Sequence, residues 1–258
     1  MPKVGLGVFE MKEGEEVYNA VSKAIQFGYR SFDTASVYQN ETGVGKAIKN
    51  SDIPREEIFV TTKVWNLDLG FDQTLNAFEK SRKKLDVEYI DLYLIHWPIN
   101  ILYLESWKAI EKLYKEGYVR AIGVCNFHEK HIENIISQFE IAPMVNQIEC
   151  HPRLTQSKLV DYCNTKGITV EGWSPFAHGQ ILKFKTIDTI SKKYGKSPAQ
   201  IIIRWNIQRG IIAIPKSVTP DRLKENFDVF NFNLLDEDMR TINLLNKNER
   251  IGPNPDKL

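Results

Sequence analysis

The spacing of apolar residues along this chain alternates between the pattern of a β-strand and that of an α-helix. Short runs rich in β-branched and aromatic residues are each followed by a longer segment whose apolar residues recur at helical spacing, a pattern typical of parallel βα units. Eight such runs are predicted strands: Val4–Gly7, Ser31–Thr34, Phe59–Lys63, Asp91–His96, Ala121–Val124, Val145–Glu149, Thr169–Gly172 and Ile212–Pro215. Eight strands of this kind predict an α/β fold, a (β/α)8 TIM barrel.

Helical segments connect most of these strands. The predicted helices are Glu15–Phe27, Phe71–Leu85, Leu104–Glu116, Glu129–Phe139, Gln156–Lys166, Thr186–Tyr194 with Pro198–Arg209, and Pro220–Phe230. Thr219 and Pro220 are typical of an N-cap followed by the first helical residue. Four glycines that can close a last helical turn lie just before strands: Gly28, Gly117, Gly167 and Gly210. A closed barrel with right-handed crossovers is favoured over an open doubly wound sheet.

Composition narrows the class of protein. The 258 residues suit one barrel domain spanning 1–258, and 34 basic against 33 acidic residues give no field that would attract nucleic acid or an anionic membrane. No apolar run could cross a bilayer, and three unpaired cysteines fit a reducing compartment. We expect a soluble, cytoplasmic monomer whose partner is a small molecule.

Polar and aromatic residues end seven successive apolar runs. In a barrel of parallel strands the chemistry lies at the carboxyl ends of the strands, so these residues predict one active face. Any one of them could simply cap or solvate a strand end, but the whole set is hard to explain that way. They are Asp33 and Thr34, Lys63, His96, Asn126, Gln147 and Glu149, Trp173 and Ser174, and Lys216 and Ser217.

Lys63 is the most informative of these residues. A lysine closing a buried run needs a counter-ion, and Asp33 at the end of a neighbouring strand can provide it. Tyr38 follows in the next loop, where the ammonium could lower the pKa of the phenol and prepare it to donate a proton. His96 could direct a ring N–H at the same carbonyl oxygen. Spacing alone leaves open a purely structural Asp–Lys pair with a core histidine.

At these residues the chain closely resembles the aldo-keto reductase family, particularly its small bacterial members that reduce methylglyoxal-like and other short aldehydes and diketones. The resemblance covers nearly the whole chain and is highly specific, because several long motifs occur in the family's order. They are GYRSFDTASVYQNETGVGKAI, FVTTKVWN, DLYLIHWP, VRAIGVCNF, VNQIECHP, GWSPF and IPKSVTPDRLKENFDVF.

The resemblance implies NADPH-dependent reduction of small carbonyl compounds by direct hydride transfer. Its catalytic group maps to Asp33, Tyr38, Lys63 and His96, with Tyr38 giving the proton. The implied cofactor-binding residues are Cys125, where the family usually has serine, Asn126, Gln147, Trp173 and Ser174 for the nicotinamide and pyrophosphate, and Lys216, Ser217, Arg222, Glu225 and Asn226 for the adenosine half. Phe9, Trp65 and Trp97 are expected to line the substrate pocket, and no metal is implied.

The resemblance also indicates where the chain departs from the family. Members usually begin with a β-hairpin that covers the barrel floor, and this chain opens within that region, so we expect a less covered floor. Arg222 and Lys224 could equally be a solvated helix face.

Three other kinds of enzyme fit these residues less well. A Rossmann dehydrogenase is disfavoured because Gly5-Leu-Gly7 and Gly43-Val-Gly45 lack a third glycine, and both pairs are expected to form tight turns. A metal hydrolase using His96, Glu149 and His151 lacks ligand spacing, and a thiol enzyme using Cys125 lacks a well-placed base. A cofactor-binding regulatory subunit on the same fold remains the alternative that activity measurements must separate.

Overall fold

A computed structural model describes all residues from 1 to 258 and confirms the predicted barrel. Its strands are β1 Leu6–Gly7, β2 Ser31–Asp33, β3 Phe59–Val64, β4 Ile90–Ile95, β5 Val119–Cys125, β6 Val145–Glu149, β7 Thr169–Trp173 and β8 Ile212–Ala213. They form one parallel sheet in sequence order. The ring closes where Gly5 N donates to Ala213 O at 2.9 Å and Ala213 N donates to Lys3 O at 3.1 Å. All strand carboxyl ends therefore meet at one face.

Ten helices surround this sheet. They are α1 Glu15–Gln26, α2 Glu41–Lys49, α3 Phe71–Leu85, α4 Leu102–Lys115, α5 Glu129–Ile136, α6 Ser157–Thr165, α7 Lys185–Tyr194, α8 Pro198–Gln208, α9 Pro220–Phe227 and α10 Asp236–Asn243. The predicted helix ends agree within about one turn, and Gly28, Gly117, Gly167 and Gly210 all adopt positive φ. Thr219 occupies the N-cap of α9, although its side chain makes no capping bond.

The interpretation of the two glycine pairs as tight turns was wrong. Gly5 is hydrogen-bonded to β8, Gly7 lies in β1, and Gly43 and Gly45 lie inside α2, a helix that the pattern did not predict. A Cβ on Gly43 would come within 2.4 Å of a Val17 methyl, and one on Gly45 within 2.1 Å of the Leu85 carbonyl oxygen. These glycines serve close packing of α2 against α1 and the end of α3, which a search for turns overlooks.

Large apolar side chains fill the space between helices and barrel. Trp107 and Trp205 are completely buried there. Cys125, Cys150 and Cys163 are buried free thiols. No helix has both the length and the apolar character needed to span a membrane.

Candidate active site

A buried ion pair lies at the carboxyl-terminal face of the barrel. Lys63 Nζ, at the end of β3, lies 2.6 Å from Asp33 Oδ1 at the end of β2 and donates to Thr34 O at 2.9 Å. The Lys63 side chain is 0% exposed and that of Asp33 4%. Burial disfavours the ammonium, but the charge of Asp33 and its hydrogen bond favour it, and the pKa of Lys63 lies above its ordinary value. The lysine is therefore a fixed cation.

Tyr38 lies beside that cation on a short 3-10 turn, Ser36–Tyr38. Ser36 Oγ donates to Lys63 O at 3.0 Å, which ties the turn to β3. Lys63 Nζ is 5.1 Å from the centroid of the Tyr38 ring. Burial raises the pKa of Tyr38, and Lys63 opposes that shift only in part, so the pKa remains above its ordinary value. The expectation that Lys63 brings it down toward neutrality was wrong for the protein alone, because desolvation is the larger effect.

His96 faces the same tyrosine from the end of β4. Its ring centroid lies 5.8 Å from that of Tyr38 in an edge-on arrangement. Burial, and next the charge of Lys63, hold the pKa of His96 well below its ordinary value. The imidazole is therefore neutral and carries a single N–H, and its Nδ1 has no hydrogen-bond partner in the protein. It can serve as a neutral hydrogen-bond donor.

A second layer of polar groups follows β5 and β7. Trp173 Nε1 donates to Asn126 Oδ1 at 2.9 Å, while Asn126 Nδ2 donates to His96 O at 3.1 Å and also contacts Cys125 Sγ at 3.1 Å. Asn126 and Ser174 adopt left-handed backbone angles, with φ of 64° and 48°. Such conformations are uncommon for residues other than glycine and often occur at functional sites.

Gln147 connects this layer to the ion pair. Its Nε2 donates to Asp33 Oδ2 at 2.7 Å and to Glu171 Oε2 at 2.6 Å. Its Oε1 accepts from Cys125 Sγ at 3.5 Å, a weak bond from a weak donor. Glu171 was not among the predicted site residues. The available signal was a glutamate in the middle of a short strand, between Val170 and Gly172, which are both buried.

Aromatic rings surround the opening above Tyr38 and His96. The Phe9 ring lies 5.0 Å from Tyr38, and the Trp65 ring lies 5.1 Å from His96. Trp97 is 6.5 Å from His96 with its plane nearly parallel. Phe9 is half exposed. The structure thus brings all three rings predicted for the pocket next to the catalytic candidates, where they form an apolar rim.

Of the residues assigned to the adenosine half, Lys216 and Ser217 precede α9, Arg222 lies in its first turn, and Glu225 and Asn226 lie in its last turn. Lys216 and Arg222 are exposed and form no ion pair, whereas Ser217 and Asn226 are buried. Ser217 Oγ accepts from Thr219 N at 3.2 Å and so shapes the entry to the helix. Glu225 accepts a hydrogen bond from Ser197 Oγ at the start of α8. Two exposed, unpaired cations therefore lie near a helix N-terminus, where negative charge is favoured.

Residues 251–252, near the C-terminus, pack against the site, and the sequence did not indicate these contacts. Glu149, at the end of β6, accepts from Ile251 N at 2.7 Å and from Gly252 N at 3.1 Å, and its Oε1 lies 2.9 Å from His151 Nε2. A Cβ on Gly252 would come within 2.7 Å of the Trp173 ring. Glu149 therefore fixes residues 251–252 against Trp173.

Known proteins with similar sequences and structures identify the family of this chain. Residues 3–247 match the model of the Aldo/keto reductase family. The chain belongs to the aldo-keto reductase family. It is 54% identical over 258 residues to a protein named glyoxal reductase from Bacillus subtilis (strain 168), covering 100% of this chain and 94% of that protein.

Two solved structures extend the comparison. An aldo-keto reductase called MGS-M4, from a Medee basin deep-sea metagenome library, superimposes with a TM-score of 0.98 at 47% identity, covering 100% of this chain and 96% of that one. A mutant of Gox0644 in complex with NADPH gives a TM-score of 0.95 at 44% identity, covering 100% and 94%. The chain is thus an oxidoreductase of a family that uses NADP(H).

The residues present fit such a cofactor. Trp173 is half-buried, so part of its indole face is available for stacking, and the weak thiol contact leaves the Gln147 oxygen able to accept from a carboxamide. The unpaired cations Lys216 and Arg222 match the negative charge of a phosphate. The two halves of the site lie on the same barrel face, because β7 and β8 are parallel neighbours.

Proposed function

We propose that this protein reduces small aldehydes and ketones to alcohols with NADPH. The observation that carries this proposal is the cluster of a buried Lys63–Asp33 pair, a tyrosine beside the ammonium and a neutral histidine facing that tyrosine. When bound, the reduced nicotinamide supplies the hydride for the carbonyl carbon. The protein's own residues then have to orient the carbonyl and deliver one proton to its oxygen.

Tyr38 is the proposed proton donor. Its phenol is neutral in the resting protein, so the proton needed by a developing alkoxide is present. The Lys63 ammonium stabilises the phenolate left after transfer, and Asp33 keeps that ammonium in place. Because Lys63 is already charged and buried, this stabilisation requires no reorganisation during the reaction.

His96 is the proposed orienting group. As a neutral imidazole it donates one hydrogen bond to the carbonyl oxygen without competing with Tyr38 as an acid. Asn126, with Cys125 and Gln147, holds the nicotinamide carboxamide, and Trp173 stacks on the ring. Ser174 meets the pyrophosphate, and Lys216, Ser217, Arg222, Glu225 and Asn226 bind the adenosine half. Phe9, Trp65 and Trp97 form the substrate pocket.

The proposed substrate range is broad. The rim is aromatic and the segment between β4 and α4 is short, so few polar groups are available to distinguish one aldehyde from another. The protein named glyoxal reductase supports small dicarbonyls as part of that range for this chain.

NADPH oxidation across glyoxal, simple aldehydes, aldoses and ketones tests both proposals. We expect comparable kcat/KM values for several unrelated small carbonyl compounds. One substrate preferred by about three orders of magnitude would contradict the broad range. Tight NADPH binding with no turnover on any member of the panel would instead favour a regulatory role.

A further inference from the structure

Glu171 is a buried carboxyl group outside the proposed catalytic four. It lies in β7 with no exposed surface, in register with Gln147 of β6 and Ile212 of β8. Its Oε2 accepts from Gln147 Nε2 at 2.6 Å, and its Oε1 has no hydrogen-bond partner. Burial of a carboxyl with one oxygen unpartnered is costly, so its presence calls for a role.

The first consequence of this contact is the orientation of the Gln147 amide. An amide nitrogen has two hydrogens, and here one goes to Asp33 and the other to Glu171. Turning the amide over would place its oxygen against the carboxylate oxygen of Asp33, which can only accept. Gln147 Oε1 is therefore fixed toward Cys125, on the side where the cofactor carboxamide is proposed to bind. Glu171 and Asp33 together make Gln147 a hydrogen-bond acceptor there.

The second consequence concerns charge. The titratable groups that face Glu171 are Asp33 from β2, Lys63 from β3 and Cys125 from β5, while Ile212 on the β8 side is apolar. Burial raises the pKa of Cys125 above its ordinary value, so the thiol is neutral. One cation thus serves two carboxyl groups. Burial first, and next the charge of Asp33, raise the pKa of Glu171 to about 8.

We propose that Glu171 is a positioning residue that fixes Gln147 and, by ionising, strengthens the binding of oxidised over reduced cofactor. The inference rests on the proposed function, since it requires the nicotinamide to lie against Gln147. The oxidised ring carries a positive charge and the reduced ring is neutral, so only the oxidised form is attracted by an ionised Glu171. Because linkage is reciprocal, NADP+ binding must also favour loss of the Glu171 proton.

The test is the ratio of the dissociation constants of NADPH and NADP+ between about pH 6 and 9.5, measured by tryptophan fluorescence at fixed ionic strength. The adenosine half is the same in both cofactors, so titration of its phosphate cancels in the ratio. At an effective dielectric of about 20, attraction between opposite charges within one site shifts affinity roughly tenfold. We expect NADP+ to gain about that factor over NADPH as the pH passes 8.

Two variants define the origin of this dependence. Glu171→Gln keeps the size and one acceptor oxygen but cannot ionise, so its ratio should be flat. Glu41→Gln is the matched control, because Glu41 is equally buried and accepts from Thr62 Oγ1 at 2.7 Å, away from Gln147. Its ratio should follow the wild type. Near pH 8, saturation of the wild type with NADP+ should remove the infrared carbonyl band of one protonated carboxyl. The same addition to Glu171→Gln should leave that region of the spectrum unchanged.

The outcomes separate this inference from the proposed function. Normal binding of both cofactors with a wild-type ratio that does not change with pH would overturn the role of Glu171 and leave carbonyl reduction standing. A pH-dependent ratio that persists in Glu171→Gln would assign it to another group and overturn the role equally. Failure to bind either cofactor would overturn both proposals. The wild-type measurement is decisive even if Glu171→Gln does not fold.

Discussion

Replacing Asp33 with asparagine should destabilise the fold as well as abolish activity. The substitution preserves size and an acceptor oxygen but removes the only carboxylate in contact with Lys63, whose side chain is 0% exposed. The ammonium would keep the Thr34 carbonyl oxygen at 2.9 Å and the neutral Tyr38 phenol beside it, neither of which carries a net charge. Leaving one member of a buried ion pair uncompensated costs about 3–5 kcal/mol of unfolding free energy. For a chain of this size we expect the melting temperature to fall by about 6–20 °C.

Urea unfolding of four proteins measures this cost and its origin: wild type, Asp33→Asn, Lys63→Met and the double variant. If the loss comes from an unpaired charge, the double variant should be more stable than Asp33→Asn alone. Asp86→Asn is the matched control, because Asp86 pairs with Lys49 on the surface with side-chain exposures of 60% and 65%. That change should stay within about 1 kcal/mol. An equally small loss for Asp33→Asn would refute the reasoning, since Lys63 would then have to be solvated, neutral or compensated by ionisation of Glu171.

Four further changes test the remaining assignments. Tyr38→Phe should lower kcat by about two to four orders of magnitude with NADPH affinity nearly unchanged, and more than about a tenth of the activity would contradict its role as the acid. Arg222→Ala should weaken NADPH by about one to two orders and leave NADH unaffected, whereas Lys224→Ala, on the same helix, should change neither. Gly252→Ala should weaken NADPH, because the new methyl group would lie 2.7 Å from Trp173; unchanged affinity by fluorescence titration would show that the tail does not position that ring. Relative to Glu171→Gln, the stability of the wild type should fall as the pH rises from about 4.5 to 8, because a carboxyl with a raised pKa holds its proton more tightly in the folded state. Parallel pH profiles of the two proteins in urea unfolding would contradict this.

Much of the architecture followed from periodicity, because eight parallel strands with return helices leave few other arrangements. The helix α2 could not be predicted from periodicity. Its two glycines resemble turn residues unless their packing partners, Val17 and Leu85, are known. These partners lie on other elements, so no local pattern contains them. The pattern also missed α10, because only two of its eight residues, Met239 and Ile242, are apolar.

The same difference between local sequence and distant neighbours decides which features of the candidate site could be predicted. Asp33, Lys63 and His96 could be predicted because each is a polar side chain at the end of an apolar run, and the fold puts such ends together. The sign of the Tyr38 pKa shift could not, because it depends on how far burial outweighs one neighbouring cation.

Glu171, inside the barrel, is a second feature that depends on residues distant in sequence. In sequence it is one charged residue in an otherwise ordinary strand, and its importance appears only when β6 places Gln147 beside it and β2 places Asp33 on the far side of that amide. A cluster with one cation and two carboxyl groups holds a proton more firmly than either carboxyl would alone. If the cofactor binds above it, the charge created by hydride transfer is met by a group that can lose that proton. The chemistry at the barrel face would then be coupled to a residue that never touches substrate.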